Sequence, residues 1–537
     1  IEEKGLAENV RARLLNLPKS QEIKVRNLRS RNLNEMIVVE GIIRQASDVR
    51  PQVVNAKFEC PSCGTVLSVL QIEKKFREPM RCSCGRRGGF KMISKEMVDT
   101  QRLVIEESPE SLTGGEQPKR INIFLKEDLV EPYMEEKTTP GSRIKVMGIL
   151  KEVPVPLQSG GLSTRFELAL EANNIIPLEE TFEELDINEE DERQILELSQ
   201  DPKVFEKLTK SIIPSVWGYD EIKRCLILQL FGGVEKTHTD GQRSRGDMHI
   251  LLIGDPGVAK SATLVFMAKI SPKGRYVVGK SATGAGLTAT VVRDEYLRGW
   301  SLEAGSMVLA NRGLLCIDEL EKMDPGDRSA MHEAMEQQTV TISKANVHAT
   351  LRAETSVLAA ANPKFGRFDP FQSIAQQIDL PPTLINRFDV IFPLRDLPNR
   401  EKDELIATHV LHEHQKMGEE MLISKDLLRK YVAYAKQRIK PVLSDEAVDE
   451  MKKFYVELRN TPVSGEGAVR PIPISARQLQ ALIRMSEASA KMRLSETVDP
   501  GDAKRSIEIM KYYLMQVGYD YESKTFDIDR GTGGMPA

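Results

Sequence analysis

Two periodicities divide the chain. Between residues 36 and 175, short β-rich runs, MIVVEGIIRQ (36–45), INIFL (121–125), RIKVMGIL (143–150) and RFELALEANNI (165–175), are separated by Gly, Pro and polar turns. Runs of this length and spacing predict a small β-barrel. The strands at 143–155 and 164–172, joined by LQSGGLS, predict a long hairpin standing off that barrel. From residue 248 the pattern changes: apolar strands MHILLIG (248–254), RYVVG (275–279), GLLCID (313–318), TSVLAAAN (355–362) and DVIFPL (389–394) alternate with helical segments. Such alternation predicts a parallel α/β sheet. Beyond about residue 400 the strands stop, and amphipathic segments such as 426–439 and 475–492 predict a helical bundle packed on the α/β domain.

Charge marks the boundary between the two patterns. Residues 1–178 carry 28 basic and 24 acidic side chains, residues 179–201 carry 11 acidic and one basic, and the remainder carries 46 and 44. Glu and Leu near helical spacing in the acidic stretch predict a solvated connector helix. The expected domains are therefore a β-rich one (1–178), an acidic linker (179–205), an α/β core (206–405) and a helical lid (406–530). A formal charge of -4 on 537 residues excludes a histone-like polycation, so any nucleic-acid surface has to be local. Hydrophobic content of 40% beside 29% charge excludes a disordered chain. The chain has no apolar run of the length that predicts a membrane span.

Four of the six cysteines cluster, as Cys60-x2-Cys63 and then Cys82-x-Cys84. That spacing fits a four-thiolate Zn2+ ribbon over about 56–92, a closed structural site without catalysis. Its second knuckle has a single intervening residue where a pair is commoner.

The strongest chemical signal follows the strand ending at Ile253: Gly254-Asp255-Pro256-Gly257-Val258-Ala259-Lys260-Ser261, then a helical pattern. Backbone N–H groups of such a turn surround phosphates, Lys260 neutralises β/γ charge, and the Ser261 hydroxyl is available to Mg2+. Ala259 stands where a second Gly is usual, which a tight turn accepts if its φ is negative. A second apolar strand, further along the chain, ends in Asp318-Glu319. Asp318 is positioned to hold Mg2+ and Glu319 to polarise an attacking water. Asn362, ending the strand TSVLAAAN, either orients the same water or, before Pro363, simply makes a turn. Hydrolysis also needs a cation for the charge developing on the γ-phosphoryl, and residue chemistry alone does not choose among 75 basic residues.

The set GDPGVAKS (254–261), LLCIDEL (314–320), AAANP (359–363) and INRFD (385–389), in that order, resembles the minichromosome maintenance (MCM) family of AAA+ replicative helicases, archaeal type. SIIPSVWGYDEIK (211–223), MHEAMEQQTVTISKA (331–345) and LRSRNLNEMIVVEGIIRQASDVRP (28–51) extend the likeness over nearly the whole chain. The resemblance implies an N-terminal OB-fold with zinc ribbon, an AAA+ ATPase with helical lid, ATP/ADP, Mg2+ and Zn2+ as cofactors, and a hexameric homo-oligomer. It also implies single-stranded and forked DNA as partners, 3' to 5' movement, contacts with replication-fork proteins, and residence on the nucleoid, or in a nucleus if the source is eukaryotic. By the same likeness Lys260 and Ser261 are the Walker A pair, Asp318 and Glu319 the Walker B pair, and Asn362 is sensor 1. Arg387 matches an arginine finger offered to the adjacent subunit's ATP, Arg477 matches sensor 2 acting in trans, and Arg245 and Gln337 match further trans contacts. A surface ion pair is the competing reading for each arginine.

TVTISKANVHATL (339–351) predicts a hairpin resembling the pre-sensor-1 hairpin, with Lys344 as a phosphate contact. GAGLTATVVRDEYLRGWSLEA (284–304) matches the helix-2 insert, where Arg298 and Trp300 offer charge and a stacking surface. Lys119 and Arg120 match the basic strand start that binds single-stranded DNA in relatives. The hairpin tip LQSGGLS lacks basic residues, leaving Lys151 and Arg165 on its stems as candidates. An unfoldase or transcription activator of the same ATPase class would lack the OB-fold and zinc. A DNA-loading or structural paralogue with weak turnover is the alternative; intact Glu319, Arg387 and Arg477 argue against it.

Overall fold

The computed structural model describes residues 12–70, 78–79, 81–107, 118–135, 138–156, 162–178, 187–241, 243–271, 273–281, 284–293, 300–344, 347–369, 377–415, 423–459 and 475–518. It divides into two compact units, one of Ile1–Glu179 with Thr290–Ala304 and Ser343–Val347, the other of the remaining residues.

In the first unit the expected strands form as β1 (Met36–Ser47), β2 (Arg50–Glu59), β3 (Val66–Leu70), β4 (Lys91–Glu106), β5 (Arg120–Lys126), β6 (Arg143–Pro156) and β7 (Leu162–Leu178). The order β1-β6-β7-β5-β4 returns to β1 through a further antiparallel pairing, closing a five-stranded barrel. All these pairings are antiparallel except β5 with β7. Closure removes the exposed strand edges that an open sheet would leave. Alternate residues point inward, and Ile37, Val39, Ile43, Leu103, Ile105, Ile123, Leu125, Ile144 and Leu170 fill the core. Gly148 lies at a register shift in β6, where a Cβ would meet Glu171 O at 2.3 Å, so no side chain fits there. The long hairpin is the β6–β7 pair, whose tip, 157–161, lies outside the described residues. Beyond the barrel β4 continues to pair with β2, and β2 with β3, carrying the cysteines. The same unit includes strand Trp300–Ala304, antiparallel to the end of β1 with Gln45 opposite Glu303.

In the second unit five parallel strands run in the order Arg275–Val278, Leu314–Asp318, Ser356–Ala361, Ile250–Gly254, Val390–Leu394. The last four are buried along their whole length, as parallel strands covered on both faces must be. Ile250–Gly254 therefore lies between Ser356–Ala361 and Val390–Leu394, with the turn after Gly254 at the carboxyl edge, where ligands bind in open α/β sheets. Helices Lys425–Arg438, Asp445–Arg459, Ala476–Met492 and Pro500–Gly518 form the helical end. The acidic connector does contain a helix, Glu189–Ser199, but one side of it is docked rather than solvated. Ile195 is fully buried, Asp191 pairs with Lys430 at 2.5 Å, and Glu192 pairs with Arg438 at 2.8 Å.

Candidate functional site

The phosphate turn connects strand Ile250–Gly254 to helix Lys260–Ile270. Gly254 is required by contact: a Cβ would sit 2.5 Å from the Leu394 Cβ. The condition set for Ala259 is not met. It caps the helix at φ 60° and ψ 24°, in the left-handed region, because the turn must reverse there to aim its N–H groups inward. An L-residue in that region is strained by about 1–2 kcal/mol. Lys260 is buried and donates from Nζ to Gly254 O at 2.6 Å and Asp255 O at 2.7 Å. Burial lowers its pKa against the pull of Asp318, Asp255 and Glu321. Asp255 faces inward instead of toward a ligand, accepting from Phe368 N at 2.7 Å and Asp396 N at 2.9 Å, and so ties two loops to the turn. Ser261 and Pro256 are exposed, Val258 and Ala259 half-buried.

Asp318 ends its strand with each carboxylate oxygen engaged, Oδ2 by Tyr276 OH at 2.9 Å and Oδ1 by Glu319 N at 2.9 Å. Burial first, and then this contact with Asp318, push the Tyr276 phenol up to about 12. Glu319 sits at φ 53°, and Lys322 Nζ donates to its Oε1 at 2.5 Å. Asn362 donates from Nδ2 to Glu321 Oε1 at 2.8 Å. Glu321, Lys322 and Asn362 line one cleft with Pro256 of the turn. Tyr276, Glu321 and Lys322 were not expected from sequence; only the DELEK run beside Glu319 carried a signal for the last two.

The arginines gather at the opposite edge of the sheet. Arg387 precedes strand Val390–Leu394, donates from Nε to His332 Nε2 at 3.1 Å and pairs with Glu336. Arg477 donates to Asn386 O and approaches Glu336 at 3.9 Å. The register pairs Gly254 with Leu394, so the phosphate turn lies beyond the far end of that strand. The strand alone spans about 13 Å at about 3.3 Å per residue, and Arg387 is turned toward helix Pro325–Gln337. Arg245 is no more buried than Arg387, but its charge is met by a buried partner: Asp389, 1% exposed, lies at 3.0 Å beside Arg484, whereas Glu336 opposite Arg387 is 48% exposed. Gln337, ending that helix, is exposed.

In the first unit the Sγ atoms of Cys60, Cys63, Cys82 and Cys84 lie within 4.8 Å of one another, with Cys60 to Cys84 at 3.6 Å and Cys63 to Cys82 at 3.5 Å. A tetrahedron with Zn–S bonds of about 2.3 Å has edges of about 3.8 Å, so the short knuckle closes the set and the donors suit Zn2+. Phe58 and Phe90 pack beneath it.

Residues 24–154 match the MCM OB domain, 191–414 the MCM P-loop domain and 426–514 the MCM AAA-lid domain. The minichromosome maintenance protein of Saccharolobus solfataricus is 40% identical over 98% of this chain and 77% of its own length. The chain belongs to the minichromosome maintenance family. A DNA replication licensing factor of Arabidopsis thaliana is 34% identical over 99% of the chain and 65% of its own length, and one of Schizosaccharomyces pombe 35% over 94% and 67%.

Of the DNA contacts expected in this MCM chain, Lys119 and Arg120 are exposed at the start of β5, with Arg120 paired to Glu106 at 2.9 Å. Lys151 pairs with Glu171 on β7, which also holds Lys126 at 2.6 Å. The register puts Arg120, Asn122, Phe124 and Lys126 of β5 on one face with Arg102 of β4. Phe124 and Lys126 were not among the expected residues, although the alternation of INIFLK announces that face. Lys344 ends strand Thr339–Lys344 and Arg165 lies within β7. The tip at 345–346 and Arg298 lie outside the described residues. No described helix is long and apolar enough to cross a membrane.

Proposed function

We propose that this chain is the subunit of an ATP-driven ring helicase, a hexamer by family, that moves 3' to 5' along one DNA strand and opens the duplex at replication forks. The observation that carries the reading is the separation of Arg387 and Arg477 from their own phosphate turn by the length of the sheet, so that both serve a neighbour's nucleotide. Ser261 and Asp318 would hold Mg2+, which when bound supplies charge to the phosphates. Lys260 leaves the carbonyls of Gly254 and Asp255 for the β/γ oxygens. Glu319 takes the proton of the attacking water once its contact with Lys322 opens, and Asn362 orients that water. Arg387 and Arg477 of the adjacent subunit, with Gln337 at the same edge, meet the developing γ-phosphoryl charge. Arg245 holds Asp389, close behind Arg387 in the chain, and acts through that loop. The tetrad of cysteines, loaded with Zn2+, fastens the β2–β4 extension.

DNA lies across the outer face of β4 and β5, where Lys119, Arg120 and Arg102 meet phosphates and Phe124 offers a stacking surface, and Lys151, Arg165 and Lys344 supply further phosphate contacts. The deciding experiment is displacement of a labelled strand from a forked duplex with ATP and Mg2+, beside Glu319→Gln. Displacement by wild type and not by the variant is expected. ATP turnover in an assembled ring without displacement would overturn the helicase reading in favour of a loader.

A further inference from the structure

The carboxylate of Glu321 makes two bonds to one residue. Its Oε1 accepts from Asn362 Nδ2 at 2.8 Å and its Oε2 from Asn362 N at 3.2 Å. The main-chain bond ends the strand Ser356–Ala361, where Pro363 follows and supplies no N–H of its own. The side-chain bond settles the orientation of the amide: a carboxylate accepts only, so the NH2 faces Glu321 and the carbonyl Oδ1 is turned to the other side. Glu321 reaches this position because Glu319 at φ 53° reverses the chain into the turn Leu320–Lys322 and returns it to the end of the neighbouring strand.

We infer that Glu321 is a positioning residue, fixing Asn362 with its amide oxygen presented to the attacking water while Glu319 serves as the base. The inference rests on the ATPase reading above. A water that donates one proton to Asn362 Oδ1 and the other to Glu319 keeps a lone pair for the γ-phosphorus. A flipped amide would present N–H groups instead and lose that arrangement. With both carboxylate oxygens engaged by Asn362, Glu321 acts on turnover through that residue, and its removal is expected to change kcat far more than nucleotide affinity.

The test is a double-mutant cycle on the full chain, with ATP turnover and the affinity for a fluorescent ADP both measured. Glu321→Ala is expected to lower kcat between about tenfold and a hundredfold, the scale of a misplaced reacting group, with ADP affinity within about twofold of wild type. Asn362→Ala is expected to lose as much, and the double variant no more than Asn362→Ala alone. Glu321→Gln keeps one acceptor but sets an NH2 against the other Asn362 donor, and is expected to recover only part of kcat. Wild-type turnover in Glu321→Ala, or an additional loss in the double variant on top of Asn362→Ala, would each overturn the inference, the latter by showing that the charge acts directly. If wild type turns over no faster than Lys260→Ala, the ATPase reading is what fails.

Discussion

Removing Asp389 takes away the carboxylate shared by two buried guanidiniums at the arginine edge. Its side chain is 1% exposed and holds Arg245 at 3.0 Å, Arg484, and the main-chain N–H of His249 at 2.8 Å. Burial alone would raise its pKa; Arg245 and then Arg484 outweigh that and hold it at about 2, against 3.8 ordinarily. At about 1.4 kcal/mol per unit the difference corresponds to roughly 2–3 kcal/mol of stability. Because the folded value is the lower one, that contribution is complete above the ordinary value and fades as pH falls from 3.8 toward 2. Asp389→Ala does more than forgo it, since two guanidiniums remain charged and buried; breaking such a pair costs about 3–5 kcal/mol. Urea unfolding followed at Trp217, in a Trp300→Phe background, reads the second unit alone. With a slope of about 3 kcal/mol/M the midpoint should drop by about 1 M or more. Asp389→Asn, which keeps one acceptor, should fall between and lose the acid sensitivity below about pH 4. A midpoint for Asp389→Ala within about 0.2 M of the parent would refute the reasoning, showing that Arg245 and Arg484 find water as readily as they held the carboxylate.

Ala259→Gly should raise the same midpoint by about 1 kcal/mol of stability, since glycine takes the left-handed conformation without strain, and Ala259→Val should lower it. Lys260→Ala and Arg387→Ala should each abolish ATP turnover alone, yet mixed rings should regain part of it, because a wild-type turn then meets a wild-type finger; silent mixtures would place the finger in cis. One zinc per chain should be released on denaturation and coloured by a metallochromic dye. Cys82→Ser should hold none and lose hydrogen-exchange protection in β2 and β3. Lys119→Ala with Arg120→Ala should flatten the salt dependence of single-strand binding by about 0.7 per contact. Phe124→Ala should instead weaken binding by about 1–3 kcal/mol with the slope unchanged.

What the pattern of residues disclosed was what local rules govern. The barrel strands, the five parallel strands and the helices of the lid follow from period and apolar run length, and the turn at 254–261 follows from Gly, Lys and Ser at fixed spacing. Two features escaped for a physical reason. Ala259 was expected with negative φ because side-chain size was weighed without the direction in which the turn has to aim its N–H groups. The connector helix was expected to be solvated because its acidic count is a property of the segment, whereas Lys430 and Arg438, which neutralise Asp191 and Glu192, belong to a lid helix far along the chain.

The same distinction applies inside the site. Lys260, Asp318, Glu319 and Asn362 announce themselves through the motifs in which they sit, but the groups holding them do not. Tyr276 reaches Asp318 from a neighbouring strand, and Glu321 reaches Asn362 across 41 positions. Arg245 carried the opposite ambiguity: a motif position offered it as a contact to a second subunit, while its burial against Asp389 spends its charge within the chain. A motif names the residue that can do the chemistry; whether its charge is available is decided by partners that only the fold brings near. In this chain those partners sort the arginines at one edge of the sheet into Arg387 and Arg477, whose carboxylate Glu336 is exposed, and Arg245 and Arg484, whose carboxylate Asp389 is buried. An arginine held by the exposed Glu336 can change partners in water, whereas one held by Asp389 cannot leave without stranding a buried carboxylate.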